Sequence, residues 1–442
     1  MTATARVCIV GGGSYNWGPT LLRDLAAMED MTGTVVIHDS DPVAADDLCR
    51  LGRRIMEATG ASFAVEVNPD LLSALTGTDF VVVTITTGGL AAMRHDLEIP
   101  RRYGIVQTVG DTVGPGGLAR GLRNIPVLVE IAQTMERVCP DAWLINLTNP
   151  MSTLVRAVTK TTRIKTVGLC HELFGARRIL GQFFDAGGDD LETEVAGINH
   201  LIWIVQATAN GRDALPVLSE QLAGGGELPL PPPASGTRAS FHDGWRVKLA
   251  LFEIYGALPA AGDRHLAEFF PFFLAEDATR AAYKLLPTTI EQRIEIQRQA
   301  REQVHAWLDG DAPLPLERSQ EEVADIIAAV AHGRSRKAIV NLPNQGQIDN
   351  LPRGAVVETM GMVGPVGASG ISAGALPLGV LATVFPHLLN QELIVEAALT
   401  GDRQPALEAL LGDPLVRDFD RAPQLLDDLV RAHADYLPQW AG

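Results

Sequence analysis

The sequence contains few cysteines, and none of them has a paired spacing. The four residues, Cys8, Cys49, Cys139 and Cys170, are scattered along 442 positions. This pattern is typical of a reducing compartment, and we expect the protein in the cytoplasm. In that environment a lone cysteine is either a small core residue or a reactive or metal-ligating thiol.

Positive charge and long apolar runs are scarce as well. The chain has 36 Lys and Arg against 53 Asp and Glu, which gives a formal net charge of −17 at pH 7. This balance argues against nucleic acid or a membrane surface as a partner, and an acidic substrate would need a locally basic pocket. No apolar run reaches the roughly 18 residues of a membrane span. The first residues, MTATARVCIVGGG, also lack the layout of a signal peptide.

The residues that are present indicate an α/β fold. Hydrophobic residues make up 46% of the chain and charged residues 20%, as in ordinary globular proteins, and the length suffices for two domains. Strand-like runs at 6–10, 34–39, 79–89, 142–150 and 165–170 alternate with helical patterns at 19–28, 42–58 and 121–138. The alternation predicts an N-terminal domain, residues 1–193, with a Rossmann-like parallel sheet that binds ligands at the carboxyl ends of its strands.

The pattern changes in the second part of the chain, residues 194–442. A long strand or the start of a hairpin is predicted at 194–207, and 228–236 resembles a loop or linker. Helical patterns at 243–256 and 289–308 precede strands joined by turns at 339–363. We expect a mixed α/β domain that binds substrate, forms the oligomer interface and shares a cleft with the first domain.

A glycine-rich loop follows the first strand-like run. Gly11, Gly12, Gly13 and Ser14 stand between a strand and a helix, where backbone N–H groups and a helix N-terminus can hold a pyrophosphate. Asp39, at the end of the second strand-like run, would accept hydrogen bonds from ribose hydroxyls and disfavours a 2′-phosphate. We therefore predict an NAD site. The alternative is a strand, turn and helix that bind nothing, since Asn16 replaces the third glycine of the motif.

Several segments together resemble the NAD- and metal-dependent glycoside hydrolase family 4. They are GGGSYNWGPTLL (11–22), TDFVVVTITTGGL (78–90), IPRRYGIVQTVGDTVGPGGLARGLRNIP (99–126), LINLTNP (144–150), VGLCHE (167–172), AGINH (196–200) and NQGQIDNLP (344–352). The resemblance covers most of residues 5–360. It implies a hydrolase in which NAD oxidises C3 of the sugar and a base removes the C2 proton while a divalent metal, usually Mn²⁺, stabilises the enediolate. Elimination, addition of water and return of the hydride complete a cycle without net redox.

The resemblance also implies site residues. Cys170 and His200 match the metal ligands of the family, and a thiolate with an imidazole suits a transition metal. Asn199 would bind substrate hydroxyls, and Asn149 would contact both the nicotinamide ribose and the substrate. The alternatives are a buried core cysteine for Cys170 and a turn residue before proline for Asn149.

The residues after Cys170 indicate the substrate. The tetrad Cys170-His171-Glu172-Leu173 resembles that of the α-galacturonidase group, with Leu173 in place of Val. His171 is the first candidate for protonating the leaving oxygen, and Glu172 is its alternative or its orienting partner. Glu172 could instead form a local cap or ion pair.

The resemblance implies that the base that removes the C2 proton lies within residues 252–272, where some members of the family use a tyrosine and others an aspartate. Asp263 is our first candidate, with His265 as a neighbour or an additional ligand and Tyr255 as an alternative. A solvated helix start with Asp263 as N-cap is the competing interpretation.

An anionic sugar requires cations, and a guanidinium binds a carboxylate in a bidentate manner. Arg94, our choice for the substrate site, lies in or beside the matched segments with Arg120 and Arg123, and Arg264 lies beside the candidate base. Any of the four could instead be an ordinary surface or salt-bridged arginine. The resemblance further implies a homodimer or homotetramer. Alternative functions are an α-glucuronidase or α-galactosidase of the same family, an NAD-dependent hydroxy-acid dehydrogenase, and a non-catalytic NAD sensor.

Overall fold

The structure is a computed structural model that describes residues 2–232 and 241–440. Its strands are β1 Ala3–Val10, β2 Met31–His38, β3 Ser62–Val67, β4 Phe80–Val83, β5 Trp143–Asn146, β6 Lys165–Gly168, β7 Leu191–Ile198, β8 Leu201–Ala209, β9 Arg212–Asp213, β10 Leu258–Pro259, β11 Arg336–Pro343, β12 Val356–Gly364 and β13 Gly367–Gly370. Its helices are α1 Trp17–Ala26, α2 Pro42–Thr59, α3 Leu71–Leu75, α4 Gly89–Arg102, α5 Gly114–Val138, α6 Met151–Thr161, α7 Glu172–Phe184, α8 Ala214–Ala223, α9 Arg246–Tyr255, α10 Asp263–Phe269, α11 Asp277–Ala282, α12 Ile290–Asp309, α13 Val323–Ala331, α14 Leu378–Thr400, α15 Arg403–Gly412 and α16 Ala422–Ala432.

The first six strands form a parallel sheet in the order β3-β2-β1-β4-β5-β6. Every residue of β4 and of β5 is buried, because helices cover both faces of a parallel sheet. The order is that of a doubly wound, Rossmann-like fold, which binds ligands outside the carboxyl ends of its strands. The predicted fold class is confirmed.

The sheet continues beyond β6 with antiparallel strands in the order β11-β12-β7-β8-β10. The connection to the parallel part is the pairing of Asn341 on β11 with Gly168 on β6. The predicted stretch 194–207 forms most of the β7–β8 hairpin, whose turn contains His200 with a φ of 64°. One sheet thus runs through both halves, and the division of the chain at residue 193 stays a prediction.

Several elements differ from the sequence expectations. The helix expected at 121–138 is α5, which begins at Gly114 because its glycine-rich start packs closely on the preceding loop; a Cβ on Gly117 would lie 2.5 Å from the carbonyl carbon of Thr112. Strand β3 and helix α4 were not predicted. Strand β3 buries alternate side chains, Phe63 and Val65, and this two-residue period is the signal that could have identified it. Of the predicted loop at 228–236, the residues after 232 lie outside the described part of the chain.

One helix in the described residues, α14, is long and apolar enough to span a membrane by length and composition alone. Its apolar residues are not continuous, because it also carries the buried side chains of His387, Asn390 and Gln391. The helix contacts α5, α6 and α15 in this structure. Its composition therefore agrees with that of a core helix packed on the parallel half of the sheet.

Candidate active site

The glycine loop begins where β1 ends, and its backbone requires glycine. Gly11 has a φ of +84°, and a Cβ there would lie 2.8 Å from the Thr84 carbonyl group. A Cβ on Gly13 would lie 2.9 Å from the carboxylate of Asp39. The loop thus brings the chain against the end of β2, as a dinucleotide site requires.

Several N–H groups of this loop already have partners. Gly11 and Gly12 donate to the carbonyl of His38, Gly13 donates to Oδ2 of Asp39 at 2.9 Å, and Ser14 donates to the Gly11 carbonyl. The Ser14 hydroxyl accepts a hydrogen bond from the N–H of Trp17 at 3.2 Å.

At the start of α1, the N–H groups of Tyr15 and Asn16 make no hydrogen bond within the described residues. These two amides are therefore available to an anion at the helix N-terminus.

Three side chains of different segments meet at the carboxyl edge of the sheet. One ligand atom each from Asp111, His200 and His265 lies within 4.8 Å of the other two. The ring centroids of the two histidines are 3.8 Å apart. A carboxylate oxygen and two imidazole nitrogens at these separations are a donor set for a divalent transition metal.

Thr112 determines which nitrogen of His200 is free. Its hydroxyl donates to Oδ1 of Asp111 at 2.7 Å, and it lies 2.7 Å from Nδ1 of His200. Since the hydroxyl has one proton, it must accept from Nδ1–H of the imidazole. Nε2 of His200 is then the unprotonated nitrogen, which is the form that binds a metal.

The charges of the three groups suit a cation. Burial lowers the pKa of His200 to about 3, and burial also lowers the pKa of His265, so both rings are neutral near pH 7. Burial opposes ionisation of Asp111, but the two histidines and Arg120 hold the pKa of its carboxyl well below the ordinary value. The group therefore carries one negative charge and two neutral nitrogen donors.

Cys170 follows β6 and lies partly buried beside two carboxyl groups. Burial raises the pKa of its thiol well above the usual range, and the charges of Glu358 and Glu172 raise it further. The three-residue group within 4.8 Å contains His200 but not Cys170. Ligation by Cys170 stays a prediction, and it would require a cation to offset the two carboxylates.

Asn199 lies in the turn before His200 and is almost fully buried. Both atoms of its amide lack a hydrogen-bond partner of ordinary geometry in the described residues, although the amide interacts with Cys170 and Glu358. A buried amide without partners is costly, and a ligand with hydroxyl groups would satisfy it.

Glu172 is an anion in this structure. Burial alone would raise its pKa, but His265, His171 and His200 lower the pKa to about 2. Its Oε2 accepts the N–H of Gly262 at 2.6 Å, and its Oε1 lies 3.9 Å from Nε2 of His265. These contacts favour an orienting function for Glu172 over proton donation.

His171 lies between Glu172 and Glu321 and is more than half exposed. Its side chain is 54% exposed, with Nδ1 at 3.4 Å from Glu321 and Nε2 at 4.0 Å from Glu172. Its ring centroid lies 6.3 Å from that of Trp17 in the first turn of α1. The histidine is thus beside the predicted nucleotide site.

Asp263 is buried at the start of α10, so the solvated helix start considered from the sequence is not observed. Its carboxylate accepts the N–H groups of Arg246 at 2.6 Å and Lys248 at 3.0 Å. It therefore caps α9 rather than its own helix, and its assignment as C2 base stays a prediction. The alternative, Tyr255, packs against the rings of Trp203 and Phe270.

Asn149 links the metal-capable group to an arginine. Its Nδ2 donates to Oδ2 of Asp111 at 3.3 Å, and its carbonyl accepts Nε–H of Arg120 at 2.9 Å. Arg120 also donates to the hydroxyl of Thr86. The contact of Asn149 with cofactor and substrate stays a prediction.

The remaining candidate arginines have different environments. Arg94 forms ion pairs with Glu98 and Glu291 at the surface, and its substrate-binding role stays a prediction. Arg123 is fully buried and forms a bidentate pair with Asp96.

Arg264 donates to the Thr108 carbonyl at 2.6 Å and to the hydroxyl of Thr288. Two further site residues, Asp111 and Arg293, were not singled out from the sequence. Asp111 lies within the quoted segment 99–126, directly before a glycine-rich helix start, and this context is the signal that could have identified it.

Two models of one known family match the two halves of the chain. Residues 6–185 match the family described as Family 4 glycosyl hydrolase, and residues 195–416 match the Family 4 glycosyl hydrolase C-terminal domain. A relative from Bacillus subtilis (strain 168) named alpha-galacturonidase is 37% identical, with coverage of 96% of this chain and 97% of the relative. An alpha-galactosidase of the same organism is 30% identical, with coverage of 98% and 99%.

Solved structures share the whole fold. One from Bacillus subtilis, described as a glucosidase, superposes with a TM-score of 0.89 at 37% identity and covers 96% of this chain and 99% of its own. A 6-phospho-alpha-glucosidase from gut microorganisms, solved in complex with NAD and Mn²⁺, has a TM-score of 0.85 at 22% identity and covers 99% of both chains.

Proposed function

The chain belongs to family 4 of the glycosyl hydrolases, and on this premise we propose that it is an NAD- and divalent-metal-dependent α-galacturonidase. Its substrate would be a short α-linked galacturonide, from which it releases galacturonic acid. The observation that carries the proposal is the group of Asp111, His200 and His265, because neither a plain dehydrogenase nor an NAD sensor requires it.

The loop residues fit NAD. Gly11 and Gly13 leave no room for a side chain, so a pyrophosphate can approach the backbone at this point. The free N–H groups of Tyr15 and Asn16 would receive the pyrophosphate, and Asp39 retains lone pairs for the adenosine ribose. A solved relative of the same fold contains NAD and Mn²⁺, which agrees with this assignment.

The donor set fits Mn²⁺ or a similar ion. Asp111, His200 and His265 would hold it, with Cys170 as the further ligand that the family resemblance implies. The unpartnered amide of Asn199 would then bind the sugar hydroxyls beside the ion. When bound, NAD supplies reversible oxidation at C3 of the sugar and the metal supplies Lewis acidity.

The chain itself supplies proton transfer and orientation. We assign removal of the C2 proton to Asp263, with Tyr255 and His265 as alternatives. We assign protonation of the leaving glycosidic oxygen to His171. Glu172, held as an anion, orients the histidines that face it.

The substrate assignment rests on the Cys-His-Glu-Leu tetrad at 170–173 and on cations near the site. Arg120, Arg264 and Arg293 all interact electrostatically with Asp111, which provides the locally basic environment that an acidic sugar needs. Relatives named alpha-galacturonidase are 34–37% identical, against 30% for the alpha-galactosidase. An α-glucuronide or α-galactoside is the alternative substrate within the family.

The decisive test is a panel of p-nitrophenyl glycosides assayed with NAD and Mn²⁺ under reducing conditions. The panel includes the α-galacturonide, α-glucuronide, α-galactoside and a 6-phosphorylated glycoside. We expect cleavage of the α-galacturonide that requires both additives and forms no net NADH. Efficient cleavage in EDTA without NAD, or stoichiometric NADH from a free hydroxy acid, would contradict the proposal.

We further propose a cytoplasmic homodimer or homotetramer. Several large apolar side chains are exposed on this single chain, among them Ile254, Val366, Leu378 and Phe419. Burial of such side chains between subunits would stabilise an oligomer. Sedimentation equilibrium of the purified protein should give two or four times the 47.3 kDa chain mass.

A further inference from the structure

Two arginines contact the same aromatic ring next to the metal-capable group. Cζ of Arg264 lies 4.8 Å from the ring centroid of Phe241, and Cζ of Arg293 lies 4.9 Å from it. Arg264 directly precedes His265 in the chain, and Arg293 lies in the first turn of α12. Two segments distant in sequence thus bring like charges together at the site.

No carboxylate in the described part of the chain forms a direct ion pair with either guanidinium, although Asp111 interacts with both at longer range. In residues 2–232 and 241–440, the guanidinium of Arg293 makes no ion pair or hydrogen bond, and Nε of both arginines is buried without a partner. Arg123 shows the contrasting case, since Asp96 neutralises it through two hydrogen bonds. A buried cation without a counter-ion is costly, and a bound anion would offset this cost.

The pair lies beside the reaction site, because Arg264 directly precedes His265 in the chain. Arg293 interacts electrostatically with the carboxylate of Asp111, and Arg264 interacts with both Asp111 and Glu172. Burial and the charge of Arg293 together lower the pKa of Arg264 to about 10. Arg264 is held by Thr108 and Thr288, which leaves Arg293 as the guanidinium free to bind a ligand.

We propose that Arg293, supported by Arg264 across the ring of Phe241, binds the carboxylate of the sugar in the active site. This inference rests on the proposed galacturonidase function and assigns the residue that selects an acidic over a neutral sugar. A planar guanidinium matches the two oxygens of a carboxylate, and the aromatic ring restricts its orientation. Arg293 was not among the candidates that the sequence indicated.

The test is Arg293→Gln in the full-length protein with NAD and Mn²⁺. We expect KM for p-nitrophenyl α-galacturonide to rise at least 30-fold, with kcat within about fivefold of wild type. The affinity for D-galacturonate, measured by calorimetry, should fall by the same factor, while that for D-galactose stays within about twofold. The melting temperature of the ligand-free variant should be equal or higher, because an unpaired buried charge is removed.

Arg298→Gln is the matched control, since Arg298 lies on the same helix and is exposed in ion pairs with Glu295 and Glu302. It should behave as wild type. Unchanged KM in Arg293→Gln, or equal losses for D-galacturonate and D-galactose, would overturn the assignment of Arg293 alone. If wild type instead prefers the α-galactoside or the 6-phosphorylated glycoside, the proposed function fails, and with it the carboxylate as the ligand of Arg293.

Discussion

His200 and His265 lie with their ring centroids 3.8 Å apart and their planes inclined by 36°, although one belongs to the β7–β8 turn and the other to α10. The ring of His200 is buried and that of His265 is largely buried, and burial lowers the pKa of each. Two neutral imidazoles in contact, with the carboxylate of Asp111 beside them, are an arrangement that a divalent ion stabilises.

The first prediction concerns the metal group. Asp111→Asn removes the negative charge of the three-residue group, and we expect affinity for Mn²⁺ to fall at least 100-fold, with a matching loss of activity at low Mn²⁺. The affinity is measured by titration with Mn²⁺, in which electron paramagnetic resonance reports the concentration of free Mn²⁺. Asp420→Asn, at an exposed position, should leave it unchanged. Equal Mn²⁺ affinity in both variants would contradict the role of Asp111.

The second prediction concerns the hydroxyl that orients His200. Thr112→Val keeps the shape of the side chain but removes the partner of Nδ1–H, so the imidazole can take the wrong tautomer. We expect Mn²⁺ affinity to fall by roughly 10–100-fold. Thr112→Ser should restore it to within a few-fold of wild type. Absence of this rescue would show that packing, rather than the hydrogen bond, is responsible.

The third prediction concerns the glycine loop. In Gly13→Ala the added methyl group would lie 2.9 Å from the Asp39 carboxylate and from Ala44. We expect the Kd for NAD, measured by fluorescence titration, to rise at least tenfold. Gly187→Ala, where an added Cβ has no neighbour within 4 Å, serves as control. Tight NAD binding by Gly13→Ala would mean that the nucleotide lies elsewhere.

The fourth prediction separates two functions of Asp263. Asp263→Asn should weaken the cap of α9, at a cost of about 1 kcal/mol in the free energy of unfolding. If Asp263 is the C2 base, the rate at which solvent deuterium enters C2 of the product should also fall at least 100-fold in the variant. The assay is run well below the melting temperature of the variant. Tyr255→Phe should retain incorporation. If Asp263→Asn retains deuterium incorporation and Tyr255→Phe loses it, Tyr255 rather than Asp263 is the C2 base.

The fifth prediction is a pH dependence of stability. Burial raises the pKa of Glu268 from 4.5 to about 8, while its Oε1 accepts the N–H groups of Val109 at 2.7 Å and Gly110 at 2.9 Å. Between these two pKa values the folded state holds a proton that the unfolded state has lost, so this group contributes less stability as pH rises from about 4.5 to 8.

Glu268→Gln keeps a side-chain oxygen that accepts the two N–H groups but removes the carboxyl group that titrates. We expect its melting temperature to fall less than that of wild type between pH 5 and pH 8.5, with a difference of about 2 °C or more at the upper end. Glu268→Ala, which removes the acceptor, should be less stable than wild type at pH 5. Parallel pH profiles of wild type and Glu268→Gln would contradict the raised pKa.

The parallel strands were predictable because the patterns that encode them are local. Buried runs such as Phe80–Val83 and Trp143–Asn146 consist of consecutive apolar residues, and the glycines after β1 are required by the backbone itself. The start of α5 was misplaced because Gly114, Gly116 and Gly117 weaken a helix by their intrinsic preference, and only packing against the loop before it favours them.

Several site residues were identified from the sequence for a different reason, namely their place in family segments. His200 and Asn149, both of which the resemblance indicated, lie beside Asp111, which it did not. Asp263 was found by the same route, but its contacts with the start of α9 could not be read from its own segment, because the helix it caps lies elsewhere in the chain.

By itself the sequence determined the Rossmann-like half, the glycine loop and the family. Only the tertiary structure decided that Asp111 joins His200 and His265, and that Arg293 lies beside Arg264 without a direct ion pair in the described residues. Periodicity and turn residues specify an element from its own neighbours. The meeting of loops from distant elements depends on how the sheet and its helices pack, and burial of the charges that meet there sets their pKa values and their need for a ligand.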